Sequence, residues 1–453
     1  MAIENKKQLA ADSLGILESI IMGTAGAAPA FSISATTVAL VAAVGTLAPA
    51  SILYCGLFMF GITLAFIHLN KVVVNAGASY AWVSKIFGKK LGFFAGWAVL
   101  TSSAIFMVSG SIPAATATLL LFDHDLAQNP AYVTAVAAIW VSFISAVTLK
   151  GIKPTSYLQS IMTGVEVIIL IAIIIGGAIA FARHPIHQFS FSWLSLTGFT
   201  PSLFATGALS AVFLYWGWDV TLNLNEETKN AQRIPGLGAF WSVVILILVF
   251  VAFVIVALLV LSDAEILNSN TNILFIIADK IFPRPWSYLA VLSIILSSIG
   301  TLETTILQFT RTMFAQGRDQ SLNIRYSKLH STWNTPWVAI FFIWGFGMIF
   351  LFLSSYFSSV YFIIKVSVNA IGFQVAFYYS LTGFACAWYY RKMWRNLYEL
   401  LIYVMWPVLS SMFLLSIAAI SFPTFDDITC IVGLGGLMLG IFPFMLNYYR
   451  KDI

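Results

Sequence analysis

The stretch from Phe204 to Pro235, FATGALSAVFLYWGWDVTLNLNEETKNAQRIP, decides the fold. It begins as an apolar helix long enough to enter a membrane, but Gly217 and Asp219 lie near its middle. Glycine costs about 1 kcal/mol against alanine inside a helix, and a carboxylate at bilayer depth costs about 2.5–3.5 kcal/mol on insertion scales. A break near Trp216 and Gly217 accounts for both. Because main-chain groups freed at that depth must line a cavity or meet a ligand, the stretch predicts a substrate site of a secondary transporter.

The composition is that of a polytopic membrane protein. Of 453 residues, 60% are hydrophobic and only 9% are charged, whereas roughly a quarter are charged in soluble domains. Cys55, Cys386 and Cys430 lie in apolar runs without metal or CxxC spacing, and we interpret them as small core residues. The polar amino terminus and the long first apolar run argue against a cleaved signal peptide. We expect no cofactor, no metal and no nucleic-acid partner.

Apolar runs of spanning length predict twelve membrane helices, all α. They lie near 14–42, 48–69, 91–121, 131–149, 156–182, 202–224, 239–261, 287–314, 336–354, 359–389, 399–421 and 426–448. The basic, glycine-punctuated segment after the second run predicts a short interfacial helix. The segment 261–286 has an amphipathic middle that either caps an outer vestibule or lies on the surface.

The distribution of positive charge predicts the orientation in the membrane. With the amino terminus inside, most of the 23 Lys and Arg fall on the cytoplasmic side. They include Lys6, Lys7, Lys71, Lys85, Lys89, Lys90, Lys150, Lys153, Lys229, Arg233, Arg311, Arg318, Arg325, Lys328, Arg391, Lys392, Arg395, Arg450 and Lys451. We therefore expect a multi-pass protein of the cytoplasmic membrane with both termini in the cytoplasm.

A second interruption occurs in the first helix, where Gly23-Thr24-Ala25-Gly26 is followed by Pro29. Proline ends the hydrogen-bond ladder, and glycine lets backbone amides approach a ligand. Breaks in helices 1 and 6 suggest two five-helix units of inverted topology, at about 14–182 and 202–389. We expect a transporter core over 1–398, with accessory helices 11 and 12 over 399–453. The alternative is that the small residues only permit close helix packing.

The sixth helix and its sequel resemble the amino acid/polyamine/organocation (APC) transporter family. The similar residues at the sixth helix are Trp216-Gly217-Trp218-Asp219, then Asn225-Glu226-Glu227-Thr228-Lys229-Asn230 and Arg233-Ile234-Pro235. Earlier in the chain, the similar residues are Ala76-Gly77-Ala78-Ser79-Tyr80, Gly88, Gly96 and Trp97. Later in the chain, they are Thr310-Arg311, Arg318-Asp319 and Thr335-Pro336. The likeness covers helices 1–10 and implies the LeuT-type fold. The chain departs from it at Glu303, where members commonly have asparagine, and at Glu166, where proton-coupled relatives have a lysine.

If the substrate is an amino acid, both of its charged ends are expected to meet main chain. Its carboxylate would meet the amides of the half-helix after Thr24-Ala25-Gly26, because a helix amino terminus binds anions. Its ammonium would meet carbonyls freed at Phe213, Leu214 and Tyr215. Selection of the substrate's side chain then falls to Tyr215, Trp216 and Trp218, unless these aromatic residues serve only packing. The candidate substrate-binding residues are Gly23, Thr24, Ala25, Gly26, Phe213, Leu214, Tyr215, Trp216, Gly217 and Trp218.

Ionisable residues supply candidates for coupling and gating. Glu166, Glu303 and Lys365 lie within predicted spans, where charges are functional candidates by default; Lys365 could instead pair with either acid. Asp219 is expected to cap the second half-helix. Glu226 and Glu227 with Lys229 and Arg233 predict a cytoplasmic ion-pair network that latches an inner gate, or a plain solvated loop. Sodium is the other possible ion, with Ser297, Ser298 and Thr301 as oxygen ligands.

These patterns predict a secondary transporter, a symporter or antiporter, that carries amino acids or related amines by alternating access. A polyamine or other organic-cation transporter is the alternative, favoured if Glu303 or Glu166 lines the pocket. A membrane-embedded enzyme would need a nucleophile, a metal cluster or a phosphate loop, and the sequence shows none. A transporter-like sensor would need a soluble signalling domain, against which the short termini argue. We therefore expect a small-molecule substrate and membrane lipid as partners, and no enzymatic activity.

Overall fold

The computed structural model describes residues 8–269, 272–356, 360–393 and 396–449, and these form an all-helical bundle without strands. Lys6, Lys7, Arg395, Arg450 and Lys451, which entered the orientation prediction, lie outside the described residues.

The described residues of the first half of the chain form eleven α-helices. They are α1 Ile16–Gly26, α2 Pro29–Val44, α3 Ala48–Val72, α4 Ser79–Phe87, α5 Lys89–Ser109, α6 Ser111–Leu120, α7 His124–Gln128, α8 Pro130–Leu149, α9 Ile152–Phe181, α10 Pro201–Leu214 and α11 Val220–Asn223. The prediction of a short helix after the second span is confirmed by α4, which buries Ser79, Tyr80, Trp82 and Val83.

The described part of the second half contains eleven further α-helices. They are α12 Ile234–Val260, α13 Asp263–Asn268, α14 Ile273–Ile281, α15 Leu289–Arg318, α16 Trp337–Ser354, α17 Val360–Tyr389, α18 Leu397–Glu399, α19 Trp406–Ser421, α20 Asp427–Cys430, α21 Gly436–Met438 and α22 Ile441–Tyr449. Two π-helical segments join some of these helices. Leu400–Met405 connects α18 to α19, and Ile431–Gly435 connects α20 to α21.

Ten helical stretches of the described chain are long and apolar enough to cross a membrane. One of them, 16–72, runs through α1, α2 and α3, whereas α10 is shorter than a usual span. The structure therefore supports a polytopic helical membrane protein, as the composition predicted.

Helix α15 lies at the centre of the bundle and positions the interior polar groups. Almost all of its side chains are buried, although it contains Glu303, Gln308 and Arg311. Polar residues in a membrane span face the protein interior, which explains why this helix takes the middle position. It packs against α1, α2, α9 and α11, and so brings both predicted breaks to one side of the same helix.

Candidate functional site

The first predicted break lies at Ala27 and Ala28, between α1 and α2. Ala28 has φ 48° and ψ 64°, a left-handed conformation that alanine rarely adopts. Pro29 then begins α2 with the backbone angle that a first helical turn requires and without an amide hydrogen. The main chain is thus interrupted inside the bundle where the glycines and the proline predicted it.

The amides in the first turn of α2, which have no acceptor within the helix, already donate to other protein groups. Ala30 donates its N–H to Glu166 Oε1 at 2.9 Å, and Phe31 donates to Ser297 Oγ at 3.2 Å. Thr301 donates its hydroxyl to the Ala25 carbonyl at 2.6 Å. The amino terminus of α2 therefore holds a carboxylate, as a helix amino terminus favours, but in this conformation the carboxylate belongs to Glu166.

The second predicted break lies between Leu214, the last residue of α10, and Val220, the first residue of α11. Gly217 has φ 106°, a conformation that favours glycine. In the described part of the chain, the carbonyls of Leu214 and Tyr215 accept no hydrogen bond. These two acceptors are free at the break, whereas the Phe213 carbonyl accepts from Trp216 N at 3.0 Å.

The two breaks meet each other. A methyl group built on Gly26 would overlap the carbonyl of Gly217, and one built on Gly217 would overlap the carbonyl of Gly26. Segments almost two hundred positions apart in the sequence are thus in direct main-chain contact. Only glycine allows this approach, because any side chain would separate the two segments.

The other residues predicted at the first break serve different purposes. Gly23 packs tightly against Ser242 and Thr221, so it is a packing glycine in this conformation. Thr24 is buried, and its hydroxyl has no partner among the described residues. Ala25 contributes the carbonyl that Thr301 binds. Gly26 is the residue of this run that contacts the second break.

An aromatic layer lies beside the breaks. Phe31 of α2 meets Phe106 of α5 edge to face at 5.9 Å between ring centroids, and Phe106 meets Trp216 at 5.5 Å. Phe213 approaches Trp216 at 6.4 Å. We call these four rings, Phe31, Phe106, Trp216 and Phe213, the aromatic layer.

Tyr215 and Trp218 are packing residues. The Tyr215 hydroxyl donates to the Ile52 carbonyl at 3.0 Å, and its ring meets Phe250. Trp218 is fully buried between Phe66 and Tyr379. Of the three aromatic residues predicted to select a side chain, only Trp216 therefore belongs to the aromatic layer.

The prediction that Asp219 caps the second half-helix is wrong. Asp219 stands at the capping position of α11, but its side chain makes no capping hydrogen bond. Its carboxylate accepts from Gln308 Nε2 at 2.7 Å, from the Tyr378 hydroxyl at 3.0 Å and from the Tyr379 hydroxyl at 2.9 Å. Three uncharged donors thus attract the side chain away from the helix and tie α11 to α15 and α17.

The predicted partners of Glu226 and Glu227 are also wrong. Glu227 forms a doubly hydrogen-bonded ion pair with Arg311, at 2.8 and 2.9 Å, and both side chains are buried. Glu226 forms a similar pair with Arg318, at 2.8 and 2.9 Å, nearer the surface. Lys229 and Arg233 are exposed, and no ion pair of theirs occurs among the described residues. A long lysine on a loop reaches solvent at little cost, whereas arginines of α15 lie directly opposite the acids.

Glu303 is fully buried on α15 and lies next to α9. When the Gln159 amide is oriented so that its oxygen and its nitrogen both have partners, the nitrogen donates to Glu303 Oε1 at 3.1 Å and to the Gly300 carbonyl at 3.0 Å. The second oxygen, Oε2, has no partner in the described ranges of the chain. No cation of the described chain lies within ion-pair distance of Glu166 or Glu303.

Lys365 does not pair with either acid, contrary to one prediction. Its side chain is exposed near the start of α17. It lies close enough to Asp426, in the turn before α20, to influence that carboxyl. The pKa of Asp426 is held below its ordinary value first by the Thr429 amide and more weakly by the Lys365 charge. A flexible lysine near the end of a span reaches the interface, so it need not enter the interior.

Sequence reasoning missed several residues of this interior network, namely Gln159, Gln308, Tyr378 and Tyr379 as partners of the buried acids and Arg311 as the partner of Glu227. The two glutamines are polar residues in predicted spans, and that rule alone could have flagged them. The tyrosines could not be told from interfacial anchors.

Ten apolar helical stretches around two touching main-chain breaks define a polytopic helical membrane protein with unwound backbone in its interior. The amino acid permease family model matches residues 14–432, and the chain belongs to this family.

Similar proteins include ones named as a serine/threonine exchanger, an amino acid transporter and a putrescine importer. The serine/threonine exchanger SteT of Bacillus subtilis (strain 168) is 24% identical over 302 residues, which cover 65% of each chain. The human b(0,+)-type amino acid transporter 1 is 25% identical over 343 residues, or 73% of this chain and 67% of that protein. The low-affinity putrescine importer PlaP of Escherichia coli (strain K12) is 24% identical over 289 residues, 59% of each chain. The matched regions thus span about two thirds or less of these relatives.

Proposed function

We propose that the protein is a secondary active transporter that moves amino acids or related amines across the cytoplasmic membrane by alternating access. The contact between Gly26 and Gly217 is the observation that carries the proposal. Unwound main chain at membrane depth is tolerated where it lines a cavity or meets a ligand, and two such segments face each other here. Relatives named as a serine/threonine exchanger and an amino acid transporter support the substrate class.

In the proposed bound state, the substrate exchanges partners with protein groups. Its carboxylate takes the Ala30 and Phe31 amides, which Glu166 and Ser297 now occupy. Its ammonium binds the free carbonyls of Leu214 and Tyr215. This binding requires the Gly26 and Gly217 segments to separate, and Trp216 of the aromatic layer then faces the substrate's side chain.

The proposed architecture has twelve membrane helices, with two inverted five-helix units over about 14–182 and 202–389 and accessory helices over 399–453. The breaks between α1 and α2 and between α10 and α11 occupy corresponding places in the two units, which supports this assignment. With both termini in the cytoplasm, the Glu227–Arg311 and Glu226–Arg318 pairs close the inner end.

Protons are the proposed coupling ion, with exchange of one amino acid for another as the competing mode. Glu166 reaches the break itself, and Gln159 links Glu303 to the same helix, α9. Buried acids without a cation partner are common in proton relays of membrane proteins. One of the three relatives above is named as an exchanger, so the assay must distinguish exchange from proton coupling.

A polyamine or another organic cation is the second candidate substrate. The relative named as a putrescine importer favours it, together with the buried carboxyls of Asp219 and Glu303. Neither has a cationic partner within ion-pair distance in the described part of the chain. A cationic substrate would supply that charge.

Uptake by proteoliposomes tests both candidates. Purified protein would be offered a panel of radiolabelled amino acids and diamines, in vesicles with or without an inward proton gradient and with or without unlabelled substrate inside. Amino acid uptake that the proton gradient stimulates supports coupling, whereas uptake that needs internal substrate supports exchange. Diamine uptake alone would replace the first proposal by the second. No uptake of any compound above empty vesicles would contradict both.

A further inference from the structure

A cavity of about 410 Å³ lies between α2, α6, α14, α15 and α17, at the end of the bundle opposite the Glu227–Arg311 pair. We call it the vestibule. Phe31 lines it, and the same residue belongs to the aromatic layer. The vestibule therefore borders the aromatic layer at Phe31, and a molecule inside it would lie one step outside the proposed transport site.

Two hydroxyl groups in the vestibule wall lack partners. Ser34 is 3% exposed, and its Oγ forms no hydrogen bond with any described residue. The Thr116 hydroxyl is buried and equally unpartnered in the described chain. Both residues line the vestibule. Buried polar atoms are nearly always hydrogen-bonded, so these two residues stand out in the vestibule wall, although their hydroxyl oxygens are buried behind its surface.

Arg284 is the charged residue among those that line the vestibule. Its Nε and Nη2 donate to Asp279 Oδ1 and Oδ2 at 3.0 and 3.2 Å, and Nη1 has no partner among the described residues. Asp279 itself does not line the cavity. The hydrogen bond from Arg284 holds the pKa of Asp279 below its ordinary value, so the pair is ionised at neutral pH. The cavity thus meets the positive end of this pair.

We propose that the vestibule is a second binding site, in which Arg284 holds the carboxylate of an amino acid before the aromatic layer opens. A guanidinium suits a carboxylate through paired N–H donors, and Nη1 of Arg284 is free to donate among the described residues. The proposal rests on the proposed function, because its ligand is the transported amino acid. It adds an entry site distinct from the breaks and a residue that sets the concentration dependence of uptake.

Substitution of each member of the ion pair tests this assignment. The probe is the 14C-labelled amino acid that the wild-type protein takes up most in the panel described above. R284Q removes the positive charge and should raise the half-saturating concentration about three- to tenfold with little change in maximal rate. D279N leaves Arg284 free for the ligand and should lower that concentration. R284K should fall between R284Q and the wild type, and R183Q, which changes an exposed arginine outside the vestibule, should match the wild type.

R284Q and D279N should change the half-saturating concentration in opposite directions, and this distinguishes ligand binding by Arg284 from a purely structural role of the ion pair. An ion pair that only anchors α14 would give the same change in both variants, with lower maximal rate and lower thermal stability, and that result would overturn the proposal. Wild-type kinetics in both variants would also overturn it, while leaving the proposed transport function intact. A wild-type protein that takes up no amino acid would contradict the proposed function itself, independently of either variant.

Discussion

Gly26 and Gly217 contact each other through their main chains, each at the point where a membrane helix is interrupted. The contact closes the space in which we place the substrate. It also excludes side chains, because a single methyl group on either residue would overlap the opposite carbonyl. The state described by the structure is therefore one in which the two breaks are in contact and a cavity, the vestibule, lies beyond them at Phe31.

Substitution of Gly26 by alanine should abolish uptake while the protein still inserts and folds. Alanine favours a helix by about 1 kcal/mol over glycine, so any loss must come from the forced separation of the two breaks. G164A is the matched control, since a methyl group there meets nothing within 4 Å. Uptake by proteoliposomes and size-exclusion profiles would be compared. Normal uptake by G26A would refute the view that this contact forms part of the transport cycle.

The hydrogen bonds of Asp219 to Tyr378 and Tyr379 should couple α11 to α17 during transport. D219N and Y379F should each slow uptake at least about tenfold, because a hydrogen bond to a charged group contributes about 1.5–3 kcal/mol. The double variant should be hardly worse than either single variant, since Y379F removes the 2.9 Å hydrogen bond and D219N removes the charge of its acceptor. Y390F, which removes a hydroxyl bonded to the His68 carbonyl, is the control. Fully additive effects would show that Asp219 and Tyr379 act separately.

The ion pairs Glu227–Arg311 and Glu226–Arg318 should differ in their contribution to stability. E227Q should lower the free energy of unfolding by about 3–5 kcal/mol, because it leaves Arg311 buried without a partner charge. E226Q should cost no more than about 1 kcal/mol, since the Arg318 side chain is 36% exposed. Thermal unfolding in detergent measures both. Equal losses in the two variants would contradict the assignment of Glu227–Arg311 as the interior pair.

Glu166 should be needed for stimulation by a proton gradient. E166Q keeps a group of similar size near the Ala30 amide but can no longer release a proton. It should therefore take up substrate at the same rate with and without the gradient, whereas E399Q, at the end of a different span, should respond as the wild type does. Gradient stimulation that persists in E166Q would exclude Glu166 as an essential proton carrier.

The start of α13 should loosen only in strong acid. The Lys280 side chain first, and then the Ser262 amide and hydroxyl, lower the pKa of Glu265 from 4.5 to about 2. A carboxyl whose pKa is lower in the folded state stabilises the fold above its ordinary pKa, and that stabilisation disappears as the pH falls from 4.5 towards 2. The amide hydrogen-exchange rates of α13 would be measured in E265Q and in the wild type. Their ratio, E265Q over wild type, should be constant from neutral pH to about pH 5 and should approach one below that pH. A ratio that already falls at neutral pH would contradict this.

The sequence could predict the breaks but not their partners. Glycine, proline and a carboxylate are conspicuous inside apolar runs, and the interruptions occur beside Gly26 and at Gly217 as predicted. Asp219, in contrast, binds Gln308 and Tyr379, which are 89 and 160 positions away. Such contacts depend on how helices rotate against each other, and local patterns do not contain that information.

The wrong predictions for charged residues also arise because local sequence patterns do not show how the helices face each other. Proximity in the sequence favoured Lys229 and Arg233 as partners of Glu226 and Glu227, but α15 presents Arg311 and Arg318 to them across the bundle. The apolar run around Lys365 predicts an interior position, yet the side chain is exposed, because a long lysine stem lets the ammonium reach the surface.

The hydrogen bond from Ala30 to Glu166 has a consequence for affinity. An arriving amino acid would replace one carboxylate with another at the same amide, so little net electrostatic energy is gained by loading. Such near-neutral replacement favours rapid turnover over tight retention, because a carrier that gripped its cargo strongly on one face of the bilayer would release it slowly on the other.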